Sequence, residues 1–146
     1  MNLRSFQLSD VHEVTSIWKM TASKEREEQT LQVLAKQLAY DRDLVLVAEK
    51  DGMVVGAIVG TIEKDTGYLY CLAVHPMFQG QGVGRELTIL LEDRIRSKGV
   101  ERIQVMVDEG TEKLAPFYHH LGYPQVSSSI LKKNWLFQLQ DAVSTT

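Results

Sequence analysis

The chain has 146 residues, of which 44% are hydrophobic and 24% are charged, and its formal net charge is −3. These values are typical of a soluble globular protein, and we expect one domain over residues 1–146 with a core of its own. The weak negative charge argues against a nucleic-acid partner held through its phosphates. No apolar run approaches the ~20 residues that cross a bilayer, and residues 1–10 lack the apolar run of a signal peptide. We therefore expect a cytoplasmic protein that does not act on a membrane.

The cysteine and histidine content argues against a metal site. Cys71 is the only cysteine, which excludes an internal disulfide, and no Cys/His cluster has the spacing of a zinc site. Cys71 also has no basic partner at a defined spacing, which favours a small core residue over an acyl-cysteine relay.

The first half of the chain predicts a strand, two helices and then three strands. Residues 3–8 alternate polar and apolar side chains, which favours a strand. Ser9 or Asp10 can cap the helix that follows, whose apolar stripe consists of Val11, Val14, Ile17 and Trp18. Residues 21–30 are polar and can be a loop or the exposed start of a second helix, which is marked by Leu31, Leu34 and Leu38. Runs at 44–48, 53–62 and 68–74 read as strands, joined by turns at 51–52 and 64–67.

The second half alternates strands and helices. One helix has an apolar face formed by Val83, Leu87, Leu90, Leu91 and Ile95, and Gly99 can end it. A strand at 101–107 and a shorter helix at 111–121 follow, and Gly122 ends that helix. Residues 123–130 and 135–139 read as a final strand pair. The pattern predicts a mixed α+β fold whose central sheet is mostly antiparallel, with strand–helix–strand crossovers in the second half.

The loop between the strand at 68–74 and the helix at 83–95 has the strongest functional signal. Its glycines at 80, 82 and 84 allow sharp turns and close approach of a ligand to the backbone. The helix that follows presents free N–H groups and the positive end of its dipole, so the loop predicts a phosphate or pyrophosphate site. Arg85 and Glu86 stand where a P-loop needs Lys and Ser or Thr, and the dinucleotide fingerprint also fails. A turn that serves only chain reversal is the structural alternative.

The pattern Q-x-x-G-x-G at Gln79–Gly84 resembles the loop of the GNAT superfamily of acetyltransferases, which binds the pyrophosphate of acetyl-coenzyme A (acetyl-CoA). The resemblance implies a GNAT-like fold and acetyl-CoA as the cofactor. It assigns the pyrophosphate to Gln79, Gly80, Gln81, Gly82, Val83, Gly84 and Arg85. A cation in a first helical turn is unfavourable unless a phosphate lies near, although Arg85 can also be a solvated side chain.

Two further segments are similar to GNAT signatures. Leu72, Ala73 and Val74 match an L-A-V segment whose backbone groups bind the pantetheine arm like an added strand. Residues 115–123 match F-Y-x-x-x-G-F/Y, which implies that Tyr118 contacts the cofactor and protonates the departing thiolate. A phenol with a pKa of ~10 stays protonated at neutral pH and suits that role. The alternative is that Tyr118 is a core aromatic beside Phe117. Thr111 departs from the family, which often has an asparagine there.

The resemblance implies an N-acetyltransferase in which a primary amine attacks acetyl-CoA directly, through a tetrahedral intermediate. The acceptor can be a small molecule or a peptide, in a pocket lined by residues 20–30 and the final strand pair. We assign no general base, because each candidate also suits a turn or surface position: Glu63, Asp108, Glu109, His75, His119 and His120. Two alternatives are a non-catalytic acyl-CoA-binding sensor or partner module and another nucleotide binder. Exposed strand edges are compatible with a homodimer.

Overall fold

A computed structural model describes residues 1–21, 32, 34–38, 40–106 and 114–123. The strands are β1 (Asn2–Ser5), β2 (Val45–Lys50), β3 (Met53–Glu63), β4 (Thr66–Val74) and β5 (Arg102–Val105). The helices with bounds inside the described residues are α1 (Val11–Thr21), α2 (Val83–Ser97) and α3 (Ala115–His120), and residues 34–38, in the predicted second helix, are also helical. The five strands form one sheet in the order β1-β2-β3-β4-β5, antiparallel except for the parallel β4–β5 pair. The predicted α+β class is confirmed.

The element bounds differ from the predicted ones near the N-terminus. The first strand ends at Ser5, because a 3-10 turn forms over Leu8–Asp10. The Asp10 carboxylate accepts the Gln7 N–H at 2.7 Å, so it stabilises this turn ahead of α1. Val11 is 39% exposed and lies outside the apolar stripe, whereas the other three predicted positions are buried.

The later bounds also shift. Thr66, predicted in a turn, already pairs with Glu63 in the β3–β4 hairpin. The last helix begins at Ala115 among the described residues, with Pro116 in its first turn as predicted. Residues 22–31, 33, 39, 107–113 and 124–146 lie outside the described part of the chain. They include most of the proposed acceptor segment, Val107, Thr111 and nearly all of the predicted final strand pair.

The core has two halves, one on each face of the sheet. Helix α1 packs on one face through Val14, Ile17 and Trp18, and α2 packs on the other through an apolar row that includes Leu87 and Leu91. Truncating one such side chain to alanine typically costs about 2–5 kcal/mol, so both helices are held firmly against the strands. Within the described residues, no helix is long and apolar enough to cross a bilayer.

Three glycines on β3 and β4, the glycine stripe Gly56, Gly60 and Gly67, set how closely α2 approaches the sheet. A Cβ at any of them would collide with the apolar row of α2. Its distance to the nearest atom would be 2.8 Å at Gly56 (Val83), 3.0 Å at Gly60 (Leu91) and 2.6 Å at Gly67 (Ile95). Real Cβ contacts are almost always longer than these distances, so the absence of a Cβ at these positions lets the helix pack closely against the strands.

Arg4 links the start of the chain to β2. Its Nη1 and Nη2 donate to Asp10 at 2.7 and 2.8 Å, and its Nε donates to Glu49 at 2.8 Å. The hydrogen bonds from Arg4 hold the pKa of the buried Asp10 carboxyl below its usual range, although burial opposes this shift. The same bonds raise the pKa of Arg4, with Asp10 contributing most.

Candidate active site

Strand β4 has a β-bulge at Cys71 and Leu72. The β3–β4 register pairs Ala57 with Ala73 and Val59 with Tyr70, so two residues of β4 oppose the single residue between them on β3. Cys71 has a φ of 57°, in the left-handed region that residues other than glycine rarely adopt. The Trp18 Nε1–H donates to the Cys71 carbonyl at 3.2 Å, inside the core. As predicted, Cys71 is buried on the opposite face of the sheet from Leu72.

The bulge begins the part of β4 that β5 does not pair. The β4–β5 pairing runs from Thr66 to Leu69 on β4, and the Met106 N–H donates to the Leu69 carbonyl at 2.8 Å. Among the described residues, β4 has no strand paired with it on its β5 side beyond Leu69. The His75 N–H donates to Val55 on β3 at 2.8 Å. Because hydrogen-bonded residues alternate along an antiparallel pair, the backbone groups of Val74 point away from β3, towards the unpaired edge.

The glycine loop begins where this edge ends. The Gln79 amide donates to the Val74 carbonyl at 3.0 Å, which ties the loop back to β4. Gly80 and Gly82 have φ of 78° and 87°, and Gly82 is the N-cap of α2. The Glu86 N–H donates to the Gly82 carbonyl at 3.0 Å, so the N–H groups of residues 83–85 belong to the first turn and point out of the helix end. The helix dipole makes this end attractive to an anion.

An apolar cleft of about 180 Å³ lies between β4, the loop and α3. Its walls are formed by Leu72, Val74, Phe78, Leu114 and Phe117, together with Gln79, Gly80 and residues 82–85 of the loop and helix. A Cβ at Gly84 would lie 3.3 Å from the Phe117 ring, so a small residue there keeps the cleft wide. Ala73 faces the other half of the core, and Gln81 and Tyr118 are likewise absent from the lining.

Two cations lie beside the loop. Arg85 is exposed in the first turn of α2. The Lys50 ammonium donates to Gln81 Oε1 at 2.9 Å and lies 5.9 Å from the centre of the Phe78 ring. Sequence reasoning missed Lys50, because it stands 31 residues before its loop partner and only the folded hairpin brings the two together. Arg85 and Lys50 add positive charge near the N-terminus of α2, which already favours an anion.

Tyr118 lies behind the cleft wall. It is 1% exposed, and its ring makes edge contacts with Phe117 and Tyr123 at centroid distances of 5.1 and 5.9 Å. Its buried hydroxyl makes no hydrogen bond of ordinary geometry with the described residues. Burial raises the pKa of this phenol well above 10, and the neighbouring Thr88 side chain opposes the rise only in part. The expectation of an ordinary phenol pKa is therefore wrong, because desolvation disfavours the phenolate.

Tyr123 contrasts with Tyr118. Its hydroxyl donates to Glu92 on α2 at 2.7 Å, which anchors the end of α3 to that helix. Burial, and then the hydrogen bond to Glu92, raise the pKa of Tyr123.

The candidate general bases do not gather at the cleft. His75 Nδ1 accepts the Met77 N–H at 3.1 Å, so this histidine caps the 3-10 turn after β4. Glu63 lies at the β3–β4 hairpin, far along the sheet from the loop, and His119 and His120 are exposed on α3. Asp108 and Glu109 lie outside the described residues. In the described ranges, no group of three His, Cys, Asp or Glu side chains has the arrangement of a metal site.

Comparison with known proteins identifies the family to which the chain is similar. The profile described as "Acetyltransferase (GNAT) family" matches residues 11–123. The Acetyltransferase YE1169 of Yersinia enterocolitica is 31% identical over 133 residues, which cover 91% of this chain and 94% of that protein.

Two solved structures show the same fold. A GNAT family acetyltransferase from Brucella melitensis in complex with acetyl-CoA has a TM-score of 0.64 and 26% identity, over 83% of this chain and 80% of that one. The paia N-acetyltransferase from Thermoplasma acidophilum in complex with coenzyme A has a TM-score of 0.70 and 20% identity, over 83% and 87%.

Proposed function

Because this chain belongs to the GNAT family of acetyltransferases, we propose that it is an N-acetyltransferase that moves the acetyl group of acetyl-CoA to a primary amine. The observation that carries the proposal is the end of β4, which β5 leaves unpaired among the described residues and which the glycine loop connects to the N-terminus of α2. A strand edge followed by an anion site fits a ligand with an amide-bearing arm and a pyrophosphate head. The Brucella relative is described in complex with acetyl-CoA.

The residues present suit acetyl-CoA. The N–H groups of residues 83–85 and the turn at Gly80 and Gly82 would hold the pyrophosphate, with charge from Arg85 and Lys50. The backbone of Leu72 to Val74 would pair with the pantetheine arm, while apolar side chains such as Phe117 wall its path. Gln79 and Gln81 would hold the loop in its conformation, because the Gln79 amide donates to the Val74 carbonyl and Gln81 Oε1 accepts from Lys50.

The thioester of acetyl-CoA supplies the activated acyl group. The amine nitrogen attacks the thioester carbon directly, a tetrahedral intermediate forms, the carbon–nitrogen bond is completed and the carbon–sulfur bond breaks. The nitrogen loses a proton to solvent or a base, and the thiolate takes one from the Tyr118 hydroxyl. That hydroxyl makes no hydrogen bond of ordinary geometry with the described residues, and this role requires it to reach the sulfur past the cleft wall behind which it lies. Its raised pKa keeps the hydroxyl protonated at neutral pH but makes it a weaker proton donor to the thiolate, so the phenolate left behind must take up a proton again from solvent.

A second candidate is a non-catalytic acyl-CoA-binding module. The position of Tyr118 favours it, since the hydroxyl is enclosed and the residue does not line the cleft. Such a module would keep the loop and the β4 edge without depending on Tyr118. The acceptor of the enzyme would be a small-molecule or peptide amine, and a net charge of −3 is compatible with a cationic one.

A thermal melt with and without saturating acetyl-CoA tests the donor. A ligand at 100 times its Kd stabilises the native state by about 2.7 kcal/mol, a rise of roughly 5–10 °C for a chain of this size. ADP and NAD are the matched controls and should give smaller shifts. Thiol release in the presence of a panel of amines then distinguishes an enzyme from a binding module. No shift with acetyl-CoA would refute both readings.

A further inference from the structure

The Cys71–Leu72 peptide is turned out of the plane of the sheet. Peptide C=O groups normally point along the sheet to a neighbouring strand, but the Cys71 carbonyl accepts the indole N–H of Trp18, which is buried with α1 on one face. The positive φ of Cys71 and the bulge produce this rotation. The described residues contain no cis peptide bond, so the N–H of Leu72 points opposite to the Cys71 carbonyl.

The opposite direction leads to the cleft. Leu72 belongs to the half of the core that faces α2, and it lines the cleft beside Gly84 and Phe117. We propose that Trp18 is a positioning residue for acetyl transfer: its indole holds the Cys71 carbonyl and thereby aims the Leu72 N–H at the thioester carbonyl oxygen. This inference rests on the proposed function. A backbone donor aimed at that oxygen stabilises the negative charge that develops there during attack.

The energetic need for Trp18 follows from the conformation of Cys71. A non-glycine residue at a φ of 57° is strained and keeps that conformation only where its surroundings hold it. The indole bond is a contact that does so, from a helix 53 residues earlier in the chain. Without it, the peptide can relax towards the ordinary strand geometry, which would turn the Leu72 N–H away from the cleft.

Trp18→Phe keeps an aromatic ring in the core and removes the donor. We expect kcat to fall about tenfold, less than the 10²–10³-fold cost of deleting an oxyanion donor outright, because the peptide is loosened and not lost. The KM for acetyl-CoA and the Kd for coenzyme A should stay within about twofold, since the loop and the rest of β4 are untouched. Ile17→Val, at a buried neighbour on α1 whose side chain cannot donate a hydrogen bond to this carbonyl, should lose stability and keep kcat.

A spectroscopic measurement separates positioning from packing. The carbonyl stretch of an unreactive ketone analogue of acetyl-CoA should shift to lower frequency on binding to the wild type, and return towards the free value in Trp18→Phe at equal Kd. Unchanged kcat and an unchanged band in a destabilised variant would show that Trp18 only packs. A change in Kd that matches the change in kcat would also overturn the inference.

A one-atom change covers the case in which Trp18→Phe does not fold. Benzothienylalanine at position 18, introduced by codon suppression, replaces the indole N–H by sulfur at nearly the same shape. The same loss of kcat and the same band shift should follow, and retention of both overturns the inference. If wild-type protein bound coenzyme A and the analogue but released no thiol with any amine, the proposed function would fail while the band shift still tested the orientation of Leu72.

Discussion

Phe117 lines the cleft, whereas Tyr118, whose ring centroid lies 5.1 Å from it, is enclosed in the core behind that wall. Two adjacent aromatics on one short helix therefore have different environments: one can touch a ligand, and the other presents a buried hydroxyl without an ordinary hydrogen bond. A buried hydroxyl of this kind costs free energy, about 1–3 kcal/mol when nothing compensates it. Removing this hydroxyl alone therefore separates a role in the reaction from a role in packing.

Tyr118→Phe should lower kcat by about 10²-fold, the lower end of the range for a positioned acid, without changing the Kd for coenzyme A. Its stability should equal or exceed that of the wild type, because no ordinary hydrogen bond is lost. Tyr123→Phe is the control, since it removes the bond to Glu92 and should cost about 1.5–3 kcal/mol at unchanged kcat. Steady-state kinetics and urea unfolding measure both. Unchanged kcat in Tyr118→Phe would favour the binding module.

Gly82 and Gly99 provide a matched pair at the two ends of α2. Their φ values are 87° and 86°, and a Cβ at either would meet no atom within 4 Å. Alanine at each position should therefore cost a similar amount, about 1–2 kcal/mol of backbone strain. Gly82→Ala should in addition weaken coenzyme A binding about tenfold, because it distorts the loop at the anion site. Calorimetric titration of both variants tests this, and equal affinities would remove the loop from the binding site.

Lys50→Met should weaken coenzyme A binding by about 2–5-fold at low salt, the range expected for an exposed charge near an anion. The difference from wild type should shrink as ionic strength rises. Arg102→Met removes one exposed charge from the far end of the β4–β5 pair and should leave the Kd unchanged. Repeating the titration with dephospho-coenzyme A, which lacks the 3′-phosphate, identifies which phosphate senses Lys50. If Lys50→Met and Arg102→Met changed the Kd for coenzyme A equally, Lys50 would only support Gln81 and would not act on the anion.

Asp10→Asn should reduce stability at pH 7 by about 1.5–3 kcal/mol, because it removes a charged acceptor from Arg4. The folded-state pKa of Asp10 is depressed, so its contribution is fully present above the unfolded-state value of about 3.8 and is lost as pH falls through the folded-state pKa. The gap between wild type and variant should therefore close below pH 4. Urea unfolding at several pH values measures it, with the exposed Asp93→Asn as control. A gap that persisted at pH 2 would contradict this account.

Local pattern was enough to predict much of the fold and the loop. The spacing of Val83, Leu87 and Leu91 identifies α2 because a buried helical face repeats every three to four residues. Asp51-Gly52 marks the turn of the β2–β3 hairpin because these two residues readily adopt the backbone angles of a tight turn. The glycine loop can be recognised from sequence because its motif lies in one continuous stretch, residues 79–84.

The features that local pattern did not reveal depend on distant pairing. Strand periodicity treats Cys71 as an ordinary member of β4, and the bulge arises only from the register with β3. Trp18 was identified as a core residue, but its bond to Cys71 spans 53 residues. Lys50 reaches the loop across the sheet, and the burial of Tyr118 depends on how α3 packs on α2.

The glycine stripe affects the N-terminus of α2 because it sets the distance between that helix and the sheet. Gly56 faces Val83, which is the first residue of α2, so a methyl group there would act as a wedge under the end of the helix that carries the first-turn N–H groups. Gly56 lies under the helix and does not line the cleft. The size of the side chain at position 56, outside the cleft, therefore determines how far the first-turn N–H groups of α2 lie from the edge of β4.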